Sequence, residues 1–130
     1  LLIHDGVRPL VSEQIINNVC ETLEHHDAVN LAIPAVDTII EVRDGAMVAA
    51  PKREYLRQVQ TPQGFKRGVL ARAFATALED PDFVATDDCG VVFKYAPDTT
   101  IKIVDGDTTN IKITYKEDLE FVKKILDGRG

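Results

Sequence analysis

The sequence has no tryptophan, one methionine and only two cysteines among 130 residues. Cys20 and Cys89 lie far apart in a chain long enough to bury roughly two-thirds of its unfolded surface, so free thiols are expected rather than a disulfide staple. No C-x-x-C or H-E-x-x-H spacing occurs, which argues against a dedicated zinc site. His25 and His26 are adjacent on an expected helix end and face different ways, a poor arrangement for chelation. No apolar run approaches the roughly 18 residues of a membrane-spanning helix. Positive charge is also scarce: the formal net charge is −6, which argues against binding nucleic acid through a basic face. GxxxxGK, GxGxxG and GxSxG motifs are absent, and no cysteine and histidine are placed as a nucleophile pair. Nor is there an initiator methionine or a signal peptide. Leu1-Leu2-Ile3 reads as the middle of a buried strand, so the chain is expected to be part of a longer protein. What is present, 45% hydrophobic and 28% charged residues, is the composition of one ordinary globular domain.

Periodicity supplies the elements. Leu1 to His4 reads as a buried parallel strand. Ser12 offers an N-cap to a helix over roughly 13–26, striped by Ile15, Ile16, Val19 and Leu23. Val29 to Ile33 is a second strand, closed by Pro34. Strand, helix and strand in that order predict a three-layer α/β/α fold with a mostly parallel sheet. Thr38 to Val42 and Met47 to Ala50 flank Asp44-Gly45, a strong hairpin signal. Such an inserted arm either pairs with another chain or decorates a sheet edge. A strand over 55–60, a helix over 66–78 and a helix capped by Thr86 and reaching Tyr95 follow. The last part reads as a strand over 101–104, a loop to Asn110, a β segment over 111–113 and a final helix. Thr114 and Glu117 form a capping box for that helix, and Leu119, Val122, Ile125 and Leu126 stripe it.

Ligands of open α/β sheets bind beyond the carboxyl ends of the strands, and three polar clusters fall there. In His4-Asp5-Gly6-Val7-Arg8-Pro9, Asp5 can hold a metal or a hydroxyl, Gly6 admits close approach and Arg8 can bind phosphate. Equally, Asp5 and Arg8 can pair and stiffen the loop. Gln60-Thr61-Pro62-Gln63-Gly64 reads as the end of a strand, where Thr61 and the amides either read a ligand or build a turn. In Asn110-Ile111-Lys112-Ile113-Thr114, Lys112 alternates with isoleucines and therefore faces away from the core, towards solvent or ligand. Lys52-Arg53 is a small basic patch beside the hairpin, of a kind that is most often solvated.

Taken in order, HDGVRP, VDTI, KREYLRQVQTPQGF, TDD and NIKITYKEDL resemble the later motifs of the methylerythritol-phosphate cytidylyltransferases across nearly the whole chain. The resemblance implies a Rossmann-like nucleotidyltransferase fold with a β-arm, about residues 37–57, that clasps a second subunit in a homodimer. It implies a cytoplasmic enzyme that makes CDP-methylerythritol and pyrophosphate from CTP and 2-C-methyl-D-erythritol 4-phosphate, with Mg²⁺, in isoprenoid synthesis. Asp5 then corresponds to the aspartate near Mg²⁺ and the substrate hydroxyls, with Gly6 and Arg8 beside it. Thr61 and Thr86 correspond to polyol contacts, and Thr38 and Arg53 to arm residues at a neighbour's substrate phosphate. Lys112 corresponds to the lysine that positions that phosphate, while neither nucleic acid nor membrane enters as a partner. Val7, Lys52 and Arg57 depart from the usual pattern, and a sister group that activates ribitol 5-phosphate often has valine at the Val7 position. The family's Gly-rich nucleotide loop lies upstream of HDxxRP. Residues 1–130 are thus expected to be a partial nucleotidyltransferase domain, without the N-terminal part of the fold and inactive alone. A non-catalytic sugar-phosphate-binding or oligomerisation module is the alternative.

Overall fold

A computed structural model describes residues 1–129; the last residue of the expected 1–130 domain lies outside the described residues. The most apolar run becomes the central strand. β2 (Ala28–Pro34) is covered on both faces because Ala28, Val29, Leu31 and Ala32 are all buried. It lies between β5 (Arg57–Phe65) and β6 (Ile101–Asp105), and the short β1 (Leu2–Ile3) flanks β5, giving the order β1-β5-β2-β6.

Helices cover both faces of this sheet. α1 (Glu13–Leu23) begins at Ser12, whose Oγ accepts the Ile15 N–H at 3.1 Å, a cap that typically contributes about 1 kcal/mol. Its Ile15 and Val19 pack on Val29 and Leu31. α2 (Arg67–Glu79) and α3 (Asp88–Tyr95) take the opposite face, where Val69, Leu70, Ala73, Val91 and Val92 enclose Ala28 and Phe65. The layers are α/β/α, as the sequence predicts. α1 lies close against β5: a Cβ on Gly64 would sit 2.7 Å from Leu23 Cδ1 and 2.8 Å from Val19 Cγ1. Glycine is what lets that helix approach the strand.

Several expectations are corrected. β1, β2 and β6 run one way, but β5 enters between β1 and β2 and runs against all three, so only the β2–β6 pairing is parallel. Strand β5 does not stop at Gln60. Thr61, Pro62 and Gln63 together stand opposite Asn30, between the Val29–Gly64 and Leu31–Gln60 pairs. This bulge lets a proline sit inside a central strand, because Pro62 owes the ladder no N–H there. α1 ends at Leu23, leaving His25 and His26 in the turn beyond it. α3 is capped by Asp87 rather than Thr86: Asp87 Oδ1 accepts the Gly90 N–H at 3.0 Å. Residues 111–113 form no strand, since no neighbour offers a ladder, although Ile111 and Ile113 are half-buried and Lys112 is exposed as the alternation requires. The final helix, α4 (Lys116–Arg129), opens on Asp118, whose Oδ2 accepts the N–H groups of Thr114 and Tyr115 at 2.9 and 2.8 Å, in place of a Thr114–Glu117 box. Only Val122 of its apolar stripe is buried.

The hairpin stands where the sequence puts it. β3 (Glu41–Arg43) and β4 (Ala46–Ala49) pair antiparallel through Asp44 and Gly45, whose φ values of 52° and 77° are those of a type I′ turn. It forms its own two-stranded sheet and leaves Ile40, Val42, Met47 and Val48 exposed. A lone hairpin of this kind is marginal in water without a surface to cover its apolar side chains.

Candidate active site

Where β1 ends, the His4–Pro9 loop folds back over β5. The Arg8 N–H donates to the Asp5 carbonyl at 3.0 Å, closing a tight turn. The Asp5 N–H donates to Thr61 Oγ1 at 2.9 Å, tying the loop to β5. His4 completes the tie, with Nδ1 2.9 Å from Thr61 Oγ1 and Nε2 2.9 Å from the Arg8 carbonyl. Because that carbonyl can only accept, Nε2 is the donor there, and the Thr61 hydroxyl lies within hydrogen-bond reach of Nδ1. The Thr61 side chain is therefore oriented from two sides before any ligand arrives.

Arg8 is held from within the chain. Nε lies 3.2 Å from Asp5 Oδ2, Nη1 donates to the Asn110 carbonyl at 2.7 Å, and Nη2 reaches the Val59 carbonyl at 3.4 Å. Of the two readings of Asp5 and Arg8, the pair that stiffens the loop is the one seen in these contacts. The other carboxylate oxygen of Asp5 carries no hydrogen bond among the described residues.

On the opposite wall, Gln63 fixes the start of α3. This buried amide donates from Nε2 to Asp87 Oδ2 at 2.7 Å and to Asn30 Oδ1 at 3.2 Å, and its Oε1 accepts the Cys89 N–H at 3.0 Å. Thr86 is exposed at the rim, its hydroxyl donating to the Asp87 carbonyl at 3.2 Å. Burial, with Asp87 alongside, raises the pKa of the Asp88 carboxyl. Burial, reinforced by Asp87 and Asp88, pushes the Cys89 thiol up to about 12. At neutral pH that thiol is protonated and is no nucleophile.

These walls enclose a hollow of about 470 Å³ in which Asp5, Arg8, Thr61, Thr86 and Lys112 meet Gln63, Asp87 and Asp88. Lys112 is the lining cation that makes no ion pair among the described residues, since Arg8 is paired with Asp5. Gly6 belongs to the same loop but does not line the hollow, and a Cβ there would meet nothing within 4 Å. Thr38 and Arg53 lie elsewhere. Thr38 is exposed ahead of β3. Arg53 borders a separate hollow of about 560 Å³ at the base of the arm, with Lys52, Glu54 and Arg57, and its Nη1 donates to the Val36 carbonyl at 3.0 Å. Of the expected site residues, Asp5, Arg8, Thr61, Thr86 and Lys112 thus converge on one cavity, and Gly6, Thr38 and Arg53 do not line it.

The contributors that the sequence did not single out include His4, Gln63 and Asn110. Each was in view as part of a polar cluster. The signal that singles them out is a side chain bonded to segments distant in sequence, which no local pattern carries.

Among the described residues no three metal-ligating side chains cluster so as to hold an ion by themselves, so a hard divalent cation such as Mg²⁺ would need further donors from water and ligand. One free carboxylate oxygen at Asp5, in a hollow shared with Asp87 and Asp88, matches an ion that takes one or two carboxylates and completes its shell with water and substrate phosphate.

A family profile described as 2-C-methyl-D-erythritol 4-phosphate cytidylyltransferase (IspD) matches residues 1–128. A curated enzyme of that name from Thermobifida fusca (strain YX) is 44% identical over 131 residues, covering 97% of this chain and 53% of that protein. The bifunctional ribulose 5-phosphate reductase/CDP-ribitol pyrophosphorylase Bcs1 of Haemophilus influenzae is 40% identical over 132 residues, covering all of this chain but 28% of that protein. Among solved structures, the 4-diphosphocytidyl-2C-methyl-D-erythritol synthase of Anaerococcus prevotii DSM 20548 superposes with a TM-score of 0.89 at 33% identity, over 97% of this chain and 57% of that one. The chain spans about half the length of the cytidylyltransferases it matches.

Proposed function

The chain belongs to the 2-C-methyl-D-erythritol 4-phosphate cytidylyltransferase family, and we propose that it supplies the polyol-phosphate half of an active site transferring a cytidylyl group from CTP to 2-C-methyl-D-erythritol 4-phosphate. The observation that carries this reading is the convergence of Asp5, Thr61, Thr86 and an unpaired Lys112 on one hollow. In a protein of net charge −6, a lone unpaired cation among hydroxyls and carboxylates suits a small polyol that ends in a phosphate. Residues 1–130 then act as part of a larger nucleotidyltransferase domain, in a cytoplasmic enzyme of isoprenoid synthesis.

The step is an in-line displacement. An oxygen of the acceptor phosphate attacks the α-phosphorus of CTP, a new P–O bond forms, and the bond to the β-phosphate bridging oxygen breaks to release pyrophosphate. Such catalysis is mostly positioning and charge neutralisation. In this reading Thr61 and Thr86 hold polyol hydroxyls, and Lys112 orients the attacking phosphate. Arg8 keeps Asp5 and the segment leading to Lys112 in place. Asp5 would hold Mg²⁺, which when bound would neutralise phosphate charge, while Gly6 stays outside the hollow.

Thr38 and Arg53 enter through the arm. Its exposed apolar residues favour pairing with a second copy, which would carry these two residues to the neighbour's hollow in a homodimer.

The test is turnover by the full-length protein with CTP, Mg²⁺ and one acceptor at a time, with products identified by mass. CDP-methylerythritol and an equal amount of pyrophosphate are expected from methylerythritol 4-phosphate, and none from the isolated 130 residues. Preferential formation of CDP-ribitol from ribitol 5-phosphate would transfer the assignment to the sister activity, which the likeness to the Haemophilus influenzae protein keeps in view. No turnover with either acceptor would leave a binding or oligomerisation module.

A further inference from the structure

Residues 110–115 form neither helix nor strand, yet the segment is pinned on both sides of Lys112. Upstream, Asn110 is fully buried, and its Nδ2 donates to the Thr61 carbonyl at 2.9 Å. Its own carbonyl accepts Arg8 Nη1 at 2.7 Å. Downstream, the Ile113 N–H donates to the Val7 carbonyl at 2.8 Å. Buried Gln60 secures the approach to Asn110: Nε2 donates to the Asp107 carbonyl at 2.9 Å, and Oε1 accepts the Asp107 N–H at 3.2 Å. The segment thus hangs from β5 at one end and from the Asp5–Arg8 loop at the other, with Lys112 between the two attachments.

We infer that Asn110 is a positioning residue: its buried amide holds the Lys112 segment in register with Thr61 and Arg8 without itself meeting the substrate. Asn110 Oδ1 is buried without a partner among the described residues, so the attachment rests on Nδ2, and releasing that bond would leave a second polar atom of the buried amide unsatisfied. Among the described residues Lys112 has no ladder and no ion pair to hold it otherwise. Its reach into the hollow depends on where its backbone is fixed. A catalytic group displaced by about 1 Å can cost on the order of 100-fold in rate. The catalytic part of the inference rests on the cytidylyl-transfer reading, whereas the pinning is a property of the fold alone.

The test therefore has two arms, both in the full-length protein. The variants are Asn110→Ala and the near-isosteric Asn110→Asp, which keeps the volume and loses the Nδ2 donor. Asn110→Ser is used if either fails to give a cooperative melt. In the first arm, amide exchange at Ile113 is expected to rise by about tenfold or more while exchange in β2 is unchanged, as for a local opening. In the second, kcat is expected to fall by roughly 30-fold with KM for CTP within about twofold, the pattern of lost transition-state positioning. In a Lys112→Ala background, removing Asn110 should cost less than about threefold more, because the two act as one unit. Unchanged exchange at Ile113 would overturn the inference. So would a loss of kcat that multiplies in full on top of Lys112→Ala. Absence of turnover in the wild-type protein would refute the proposed function instead, and the exchange arm would then decide the inference by itself.

Discussion

Replacing Lys112 with alanine in the full-length protein is expected to lower turnover by roughly 100-fold or more, the scale on which loss of one preorganised charge acts. The fold should barely register the change. Lys112 is exposed, lies outside any regular element and makes no ion pair among the described residues, so its truncation should alter stability by no more than about 0.5 kcal/mol. The contrast between a large kinetic effect and a small thermodynamic one is the signature of a residue placed for chemistry. It follows from the flanking isoleucines, which take up the half-buried positions and leave the lysine facing the hollow. Arginine should rescue only part of the loss, because a planar fork does not occupy the place of a compact ammonium. A folded Lys112→Ala variant with near-normal turnover would make the side chain an ordinary solvated lysine.

The second large effect is recovery of activity from two inactive proteins. Asp5→Ala and Arg53→Ala should each abolish most turnover as homodimers. Within one chain the two residues border different hollows, Asp5 beside Lys112 and Arg53 at the base of the arm. If the arm crosses to a second copy, every site draws Asp5 from one chain and Arg53 from the other. A mixed dimer then contains one site in which both are intact, and activity should recover to about half the wild-type value per mixed dimer by the counting of two-fold symmetry. Subunit exchange is verified with tagged chains. No recovery after proven exchange would mean that Arg53 serves its own chain or takes no part.

How much of this was legible depended on whether the signal was local. The stripe of Ile15, Val19 and Leu23 and the cap at Ser12 describe α1 without reference to the rest of the chain, and Asp44-Gly45 specifies its hairpin in the same way. The continuation of β5 through Thr61-Pro62-Gln63-Gly64 was not legible. Proline and glycine read locally as the end of a strand, whereas here the bulge opposite Asn30 absorbs the proline and the closeness of α1 requires the glycine. The same limit applies to the site. Asp5, Thr61, Thr86 and Lys112 could be picked out as polar residues at loop positions or out of phase with apolar neighbours. The roles of Gln63 and Asn110 depend on being buried against segments distant in sequence. Burial of that kind is decided by tertiary packing, so no window of the sequence contains it.

The most direct test of the central claim is a crystal structure of the full-length protein with methylerythritol 4-phosphate and Mg²⁺. The claim is that this hollow holds the polyol phosphate. The predicted result is a polyol against Asp5, Thr61 and Thr86, with its phosphate on Lys112 and the partner's Arg53 and with the Asp5–Arg8 pair intact. A phosphate seated on Arg8 with that pair broken, or a polyol bound outside the hollow, would contradict it.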